Sequence, residues 1–311
     1  MISLDSYKRP SFKDFLKGPK FSSFKTTLGI LFSKPSSAAG MVVFLIYIAI
    51  AIIDSVHPQL LGINSNVGTL LTNFENPTPL PPSRTYPLGT TFPGINLLPA
   101  ILQSIRLDVA FSFAVVGLGS IIGILLGLFS GYYGGIIDEF VMRITDIVFA
   151  IPFLILLIAA GYFIPDGRSI GALVIILTVV WWPRIARVVR GQVLSLKQAS
   201  FVEAAKACGV NNIKIIFKHI FPNTLAPVTV QISLDIAAVM LLLATLDFLG
   251  FIPGGAYVAE LGYLASIGIS YFVLGDWWTL LFPGLAILFF ALSMNLIGDG
   301  LRDALDPKLR R

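Results

Sequence analysis

Cysteine, histidine and charge are all scarce in this chain. Its 311 residues include one cysteine, Cys208, and two histidines, His57 and His219, far apart in sequence. A lone cysteine excludes an internal disulfide, and two distant histidines supply no metal cluster, so neither metal nor redox chemistry is expected. No glycine-rich phosphate loop ending in Lys-Ser or Lys-Thr occurs, so the chain has no nucleotide site of that kind. Charged residues make up only 13% of the chain, and 56% is hydrophobic. With a mean hydropathy of +0.85, it is too apolar for a soluble domain of this length and is expected to live in a bilayer. The excess of 22 Lys+Arg over 17 Asp+Glu is mild and implies no nucleic acid; it matters through its placement relative to the membrane. The basic N-terminus is too long for a secretory signal, and no small-residue cleavage site follows the first apolar run, so no leader is expected to be removed.

Taken in order, residues 1–37 form a basic arm with seven Lys/Arg, assigned to the cytoplasm. Residues 38–54 form a first transmembrane helix. Residues 55–106 form a polar, proline-rich external loop ending in an interfacial helix over 97–106. A five-helix core over 107–298 follows, with spans at 109–129, 147–164, 170–183, 225–250 and 277–298, then a cytoplasmic tail over 299–311. Gly117, Gly119, Gly123 and Gly127 give the second span small-residue faces for close helix packing. Trp181, Trp182, Trp277 and Trp278 are read as interfacial anchors. The segment 256–275 is long and apolar, but a seventh span would put the basic tail outside. It is therefore read as an external re-entrant or interfacial segment, leaving six spans with both termini cytoplasmic.

A polar island interrupts this pattern at 184–223. Ser200 and Glu203 have capping-box spacing, so a short helix is expected from Phe201. Phe201, Ala204, Ala205 and Cys208 share one of its faces. Gly209 can close that helix in the left-handed conformation, and Asn211 can cap a second one. The second helix would carry Ile213, Ile216, Phe217 and Ile220 on one side until Pro222 stops it.

Glu203-Ala204-Ala205, Gly209 and Ile220-Phe221-Pro222 resemble, in order and spacing, the "EAA…G…I-x-P" loop of the membrane subunits of ABC importers. The likeness extends over Pro87-Leu-Gly-Thr-Thr, Gly131-Tyr-Tyr-Gly-Gly, the segment Asp138 to Asp146, the segment Trp182 to Ser195, and Gly298 to Pro307. These look like the dipeptide/oligopeptide permease family, specifically the second subunit of its heterodimer. The resemblance implies an all-α type I ABC importer fold in the plasma membrane. It also implies a second ("B") permease subunit, two ATPase subunits that bind the ATP, and an external solute-binding protein. Glu203, Ala204, Ala205, Gly209, Ile220 and Pro222 would form the coupling element that docks on the ATPase.

The chain departs from the family pattern where Gly94-Ile95-Asn96 replaces Gly-Arg-Asp, where Leu243 replaces a glutamate, and where Asp235 replaces a small residue. The family also carries oligosaccharides and nickel, so peptide and sugar both stay open as substrates. Nickel is disfavoured by a single external histidine with no sulfur ligand beside it. Asp235 lies near mid-depth of the fifth span, with Gln231 one turn earlier, and the two are candidate pathway residues. The alternative assigns Asp235 to an ion-coupled secondary carrier, which inverted repeats would favour; none is visible. Asp146 is expected to pair with Arg143 on its own helix, and Asp247 to sit wet at the external end of its span.

Overall fold

The computed structural model describes residues 29, 31–61, 70, 72, 76–163, 169–249, 251 and 258–305. Most of the basic arm, part of the polar loop, the turn before the fourth span and the end of the tail lie outside the described residues. The described residues are mostly helical, with a small hairpin in the loop before the second long helix. The helices are α1 (Pro35–Val56), α2 (Leu97–Tyr133), α3 (Gly135–Ala150), α4 (Phe153–Phe163), α5 (Ile170–Leu196), α6 (Ser200–Ala207), α7 (Asn212–Phe248), α8 (Leu261–Phe272) and α9 (Trp278–Leu305). Strands β1 (Thr90–Thr91) and β2 (Ile95–Asn96) pair antiparallel, with Thr90 opposite Asn96.

Helices α1, α2, α5, α7 and α9 are long and apolar enough to cross a membrane, and the bent pair α3–α4 makes a sixth if counted as one span. The straight span expected at 147–164 is therefore corrected. The chain turns by 90° between α3 and α4 at Ile151-Pro152, where proline lacks the N–H a continuing helix needs. The separate interfacial helix at 97–106 is also corrected, because those residues are the first turns of α2. No proline or glycine interrupts residues 100–116, and the charge that suggested a boundary is neutralised where Arg106 Nε meets Asp54 Oδ2 of α1 at 2.9 Å. The segment after 256 contains only the 12-residue α8, which at 1.5 Å per residue is about 18 Å long and too short to cross. It buries Leu261, Tyr263 and Leu264.

Packing follows the glycines. A β-carbon on Gly123 would lie 2.6 Å from the Trp182 carbonyl oxygen, and one on Gly127 2.6 Å from that of Ala186, so α2 and α5 approach backbone to backbone. Gly117, by contrast, faces open space. Trp181 and Trp182 are buried at this seam, not placed in an aromatic belt. Trp278 is buried too, its indole N–H donating to the Thr90 carbonyl at 3.1 Å, while Trp277 is exposed. The main core gathers side chains of α1, α2, α5, α7, α8 and α9, and a second cluster lies beneath α6.

Candidate functional site

Helix α6 is a two-turn helix held on the end of the bundle. The capping box does not form: Ala199 occupies the N-cap with extended backbone and no side-chain cap is made. The helix begins one residue earlier than the spacing suggests, so Ser200 falls inside its first turn. Instead the Val202 and Glu203 N–H groups both donate to the Ala199 carbonyl, at 2.9 and 3.2 Å. At the other end Gly209 is left-handed (φ 71°); its N–H donates to Lys206 O at 2.9 Å and that of Val210 to Ala205 O at 3.1 Å. This pair of bonds closes the helix as expected of a glycine at this position. Asn211 caps the start of α7, its side chain accepting from Ile213 N–H at 3.0 Å.

The second short helix expected after Asn211 is corrected, because Pro222 does not stop it. Helix α7 runs unbroken to Phe248: residues Ile215–Ile220 take a π-helical turn, with Phe221 N–H reaching back five residues to Ile216 O. The wider turn admits a residue without an N–H, and the side chain of Asn223 donates to His219 O at 2.6 Å. The π turn also rotates the apolar face. Ile215, Ile216 and Ile220 are buried, while Ile213 and Phe217, expected on that face, are exposed.

Under α6, Val202 is fully buried with Val189, Val193, Leu128 and Tyr132. Tyr132 is a residue the sequence reading treated only as part of a turn. Its hydroxyl donates to Asn212 Oδ1 at 2.7 Å, and Lys206 and Lys197 lie over its ring at 5.6 and 6.0 Å. One side chain at the end of α2 thus joins α6 to the start of α7. Of the expected docking residues, Glu203, Ala204, Gly209 and Pro222 are exposed, Ala205 is half-buried and Ile220 is buried. The free Cys208 is exposed beside them.

The second constellation lies deeper. Asp235 is 1% exposed; Gln231 Nε2 donates to its Oδ1 at 2.9 Å and Arg184 Nη1 of α5 stands 3.5 Å from the same oxygen. The pair Gln231/Asp235 expected from helical spacing is therefore brought together, with an arginine that spacing could not supply. Further along α5, Arg187 Nη2 meets Asp146 Oδ1 at 2.8 Å, and Arg190 grips Asp138 through Nε and Nη2 at 2.5 and 2.6 Å. Asp146 thus pairs across helices, not with Arg143, which lies 3.6 Å from Glu139 one turn before it.

A third group of acids is buried on the side away from α6. Asp247, expected to be wet, is fully buried, as are Asp108 and Glu260. Asp108 Oδ2 accepts from Leu261 N–H at 3.1 Å, and the Asp247 and Glu260 carboxyls are buried close by. Burial, then the neighbouring Asp247 and Asp108 carboxyls, raise Glu260 well above the usual glutamate range. No group of these acids and others among the described residues is arranged to hold a metal ion.

Residues 123–311 match the model of the "binding-protein-dependent transport system inner membrane component" family. The chain is 33% identical over 298 residues to the dipeptide transport system permease protein DppC of Bacillus subtilis (strain 168), covering 96% of this chain and 90% of that one. It is 40% identical over 231 residues to the probable D,D-dipeptide transport system permease protein DdpC of Escherichia coli (strain K12), covering 74% and 76%. Among solved structures, a chain of the inward-facing MetNI methionine ABC transporter superposes with a TM-score of 0.54 at 23% identity, over 67% of this chain and 97% of that one. That likeness carries the fold, which is that of a type I ABC importer membrane subunit. The alternative of an ion-coupled carrier finds no support in these relatives. With more than half its length matched, the chain belongs to the binding-protein-dependent transport system inner membrane component family, as a permease subunit of the peptide transporter type.

Proposed function

We propose that this chain is one of two permease subunits of an ATP-driven importer of short peptides in the cell membrane. It is multi-pass, with both termini and α6 on the cytoplasmic side. A second permease subunit completes the pathway, an external solute-binding protein delivers the peptide, and two ATPase subunits bind and hydrolyse ATP. The relatives' names support peptide over oligosaccharide as cargo. The observation that carries the coupling role is α6 itself. It exposes Glu203, Ala204 and Cys208 beside Phe201, while Val202, the Gly209 closure and the Tyr132 bridge hold it to α2 and α7. A small-residue face on a rigid mount can enter a groove in a partner and transmit its movement to both long helices. Glu203, Ala204, Ala205, Gly209 and Pro222 would form the contact, with the buried Ile220 anchoring it from beneath.

Gly209 tests this reading. No heavy atom lies within 4 Å of the position a β-carbon would take, so only the left-handed backbone opposes a side chain. Gly209→Val has to leave that conformation, at a cost of at least about 1 kcal/mol, and should turn α6 relative to α7 while leaving every span intact. In complexes reconstituted with the partner subunits, membrane insertion should persist while peptide-stimulated ATP hydrolysis and uptake collapse. Normal coupling in this variant would remove Gly209 from the mechanism.

A further inference from the structure

A cavity of about 340 Å³ opens where the α3–α4 bend faces α5 and α7. Its walls are apolar, built from Phe149, Phe153, Trp181 and Leu242 with the bend residues Ile151 and Pro152, and the one charged side chain lining it among the described residues is Arg184. The guanidinium lies over the Trp181 ring at 5.1 Å and makes one long contact with Asp235, at 3.5 Å, leaving the Arg184 side chain 46% exposed. The acid beneath it is 1% exposed and is also held by Gln231. Arg184 is thus tethered by a buried carboxylate while its side chain lines the cavity.

Three physical points identify what this space accepts. A guanidinium within a spanning helix is costly against lipid and is placed where it meets water, protein or a ligand. Its planar fork of N–H donors matches a carboxylate better than any neutral group. The aromatic walls favour an apolar side chain next to that carboxylate, and the volume lies in the range of small-molecule sites.

We propose that this cavity is a subsite of the transport pathway that receives the C-terminal residue of the peptide, with Arg184 binding its free carboxylate and Trp181, Phe149 and Phe153 its apolar side chain. Asp235 and Gln231 are positioning residues for Arg184. The assignment rests on the reading of the chain as a peptide importer subunit and adds to it a preference exerted by the membrane subunit, independent of the binding protein.

The test uses the complete importer in proteoliposomes, with binding protein preloaded with Ala-Phe or with Gly-Gly, and compares initial uptake. Arg184→Gln should lower Ala-Phe uptake about tenfold, the loss of one charge-assisted contact, and Arg184→Lys should restore part of it. Leu242→Trp, which fills the cavity, should lower Ala-Phe uptake more than Gly-Gly uptake. Should Arg184→Gln reduce the yield of assembled complex by stranding Asp235, the double variant Arg184→Gln/Asp235→Asn removes the stranded charge and should show the same loss of Ala-Phe uptake. Wild-type uptake of both peptides by the double variant and by Leu242→Trp would overturn the subsite while leaving the importer reading intact. Failure of the unmodified complex to take up either peptide would overturn both.

Discussion

In the half of the bundle nearer α6, three aspartates each meet an arginine of α5: Asp235 with Arg184, Asp146 with Arg187, and Asp138 with Arg190. In the other half, beside the Asp54–Arg106 pair, Asp108, Asp247 and Glu260 are buried together, and no basic side chain is paired with them among the described residues. The same chemical group is kept in an apolar helix bundle in two ways. Near α6 a neighbouring helix presents a cation to each carboxylate at every turn of one face, and the pairs set how α3 and α7 lie against α5. In the other half the carboxyls come from α2, α7 and the residue before α8, and for Glu260, at the head of α8, burial favours the neutral, proton-bearing form. The first arrangement answers to the loss of a partner, the second to pH.

Removing the cation from the best-formed pair should have the largest effect. Arg190 and Asp138 are bonded twice, with side chains only 30% and 18% exposed, so Arg190→Met should cost about 2 kcal/mol and lower the thermal midpoint of the detergent-purified complex. Adding Asp138→Ala should recover part of that loss. Equal stability of the single variant and wild type would break the comparison at its firmest point.

Glu260 sharpens the other side. Its acid form is the one the fold favours, so the stability it contributes is present at low pH and is lost as pH rises from the ordinary glutamate range toward its raised value. The thermal midpoint should therefore fall as pH rises above the ordinary glutamate range in the wild type. Glu260→Gln should flatten that slope, matching wild type at the acid end and exceeding it at the alkaline end. A wild-type midpoint independent of pH would mean that Glu260 is not held neutral.

The smallest effect is expected at Asp146. It and Arg187 are 63% and 52% exposed, so solvent screens the pair, and Asp146→Asn should change stability by no more than about 0.5 kcal/mol. A loss as large as that of Arg190→Met would show that all three pairs act as one network.

The loop over 184–223 was largely legible because its signals are local. Gly209 and Asn211 act on backbone groups a few residues away, and both do what their chemistry predicts. The misplaced features follow from geometry that residue spacing does not carry. Ser200 fails as a cap because Ala199 takes the N-cap position and Ser200 is already the first residue of α6. The apolar face of α7 is set by a π turn that no 3.6-residue periodicity anticipates. Tyr132 carried no signal beyond its turn motif, since its role depends on meeting Asn212, 80 residues on.

By itself the amino-acid order determined that the protein is an all-α membrane protein, where its apolar runs lie, and which loop bears the family's motif. Hydrophobicity and short-range backbone chemistry are properties of neighbouring residues. Only the tertiary structure decided which acids meet arginines and which meet each other, that Pro152 divides a span while Pro222 does not, and that Arg184 faces a cavity. Each of these depends on the side chain a second helix presents at the same depth, and helix-to-helix register is decided by packing, above all by where the glycines of α2 let α5 approach.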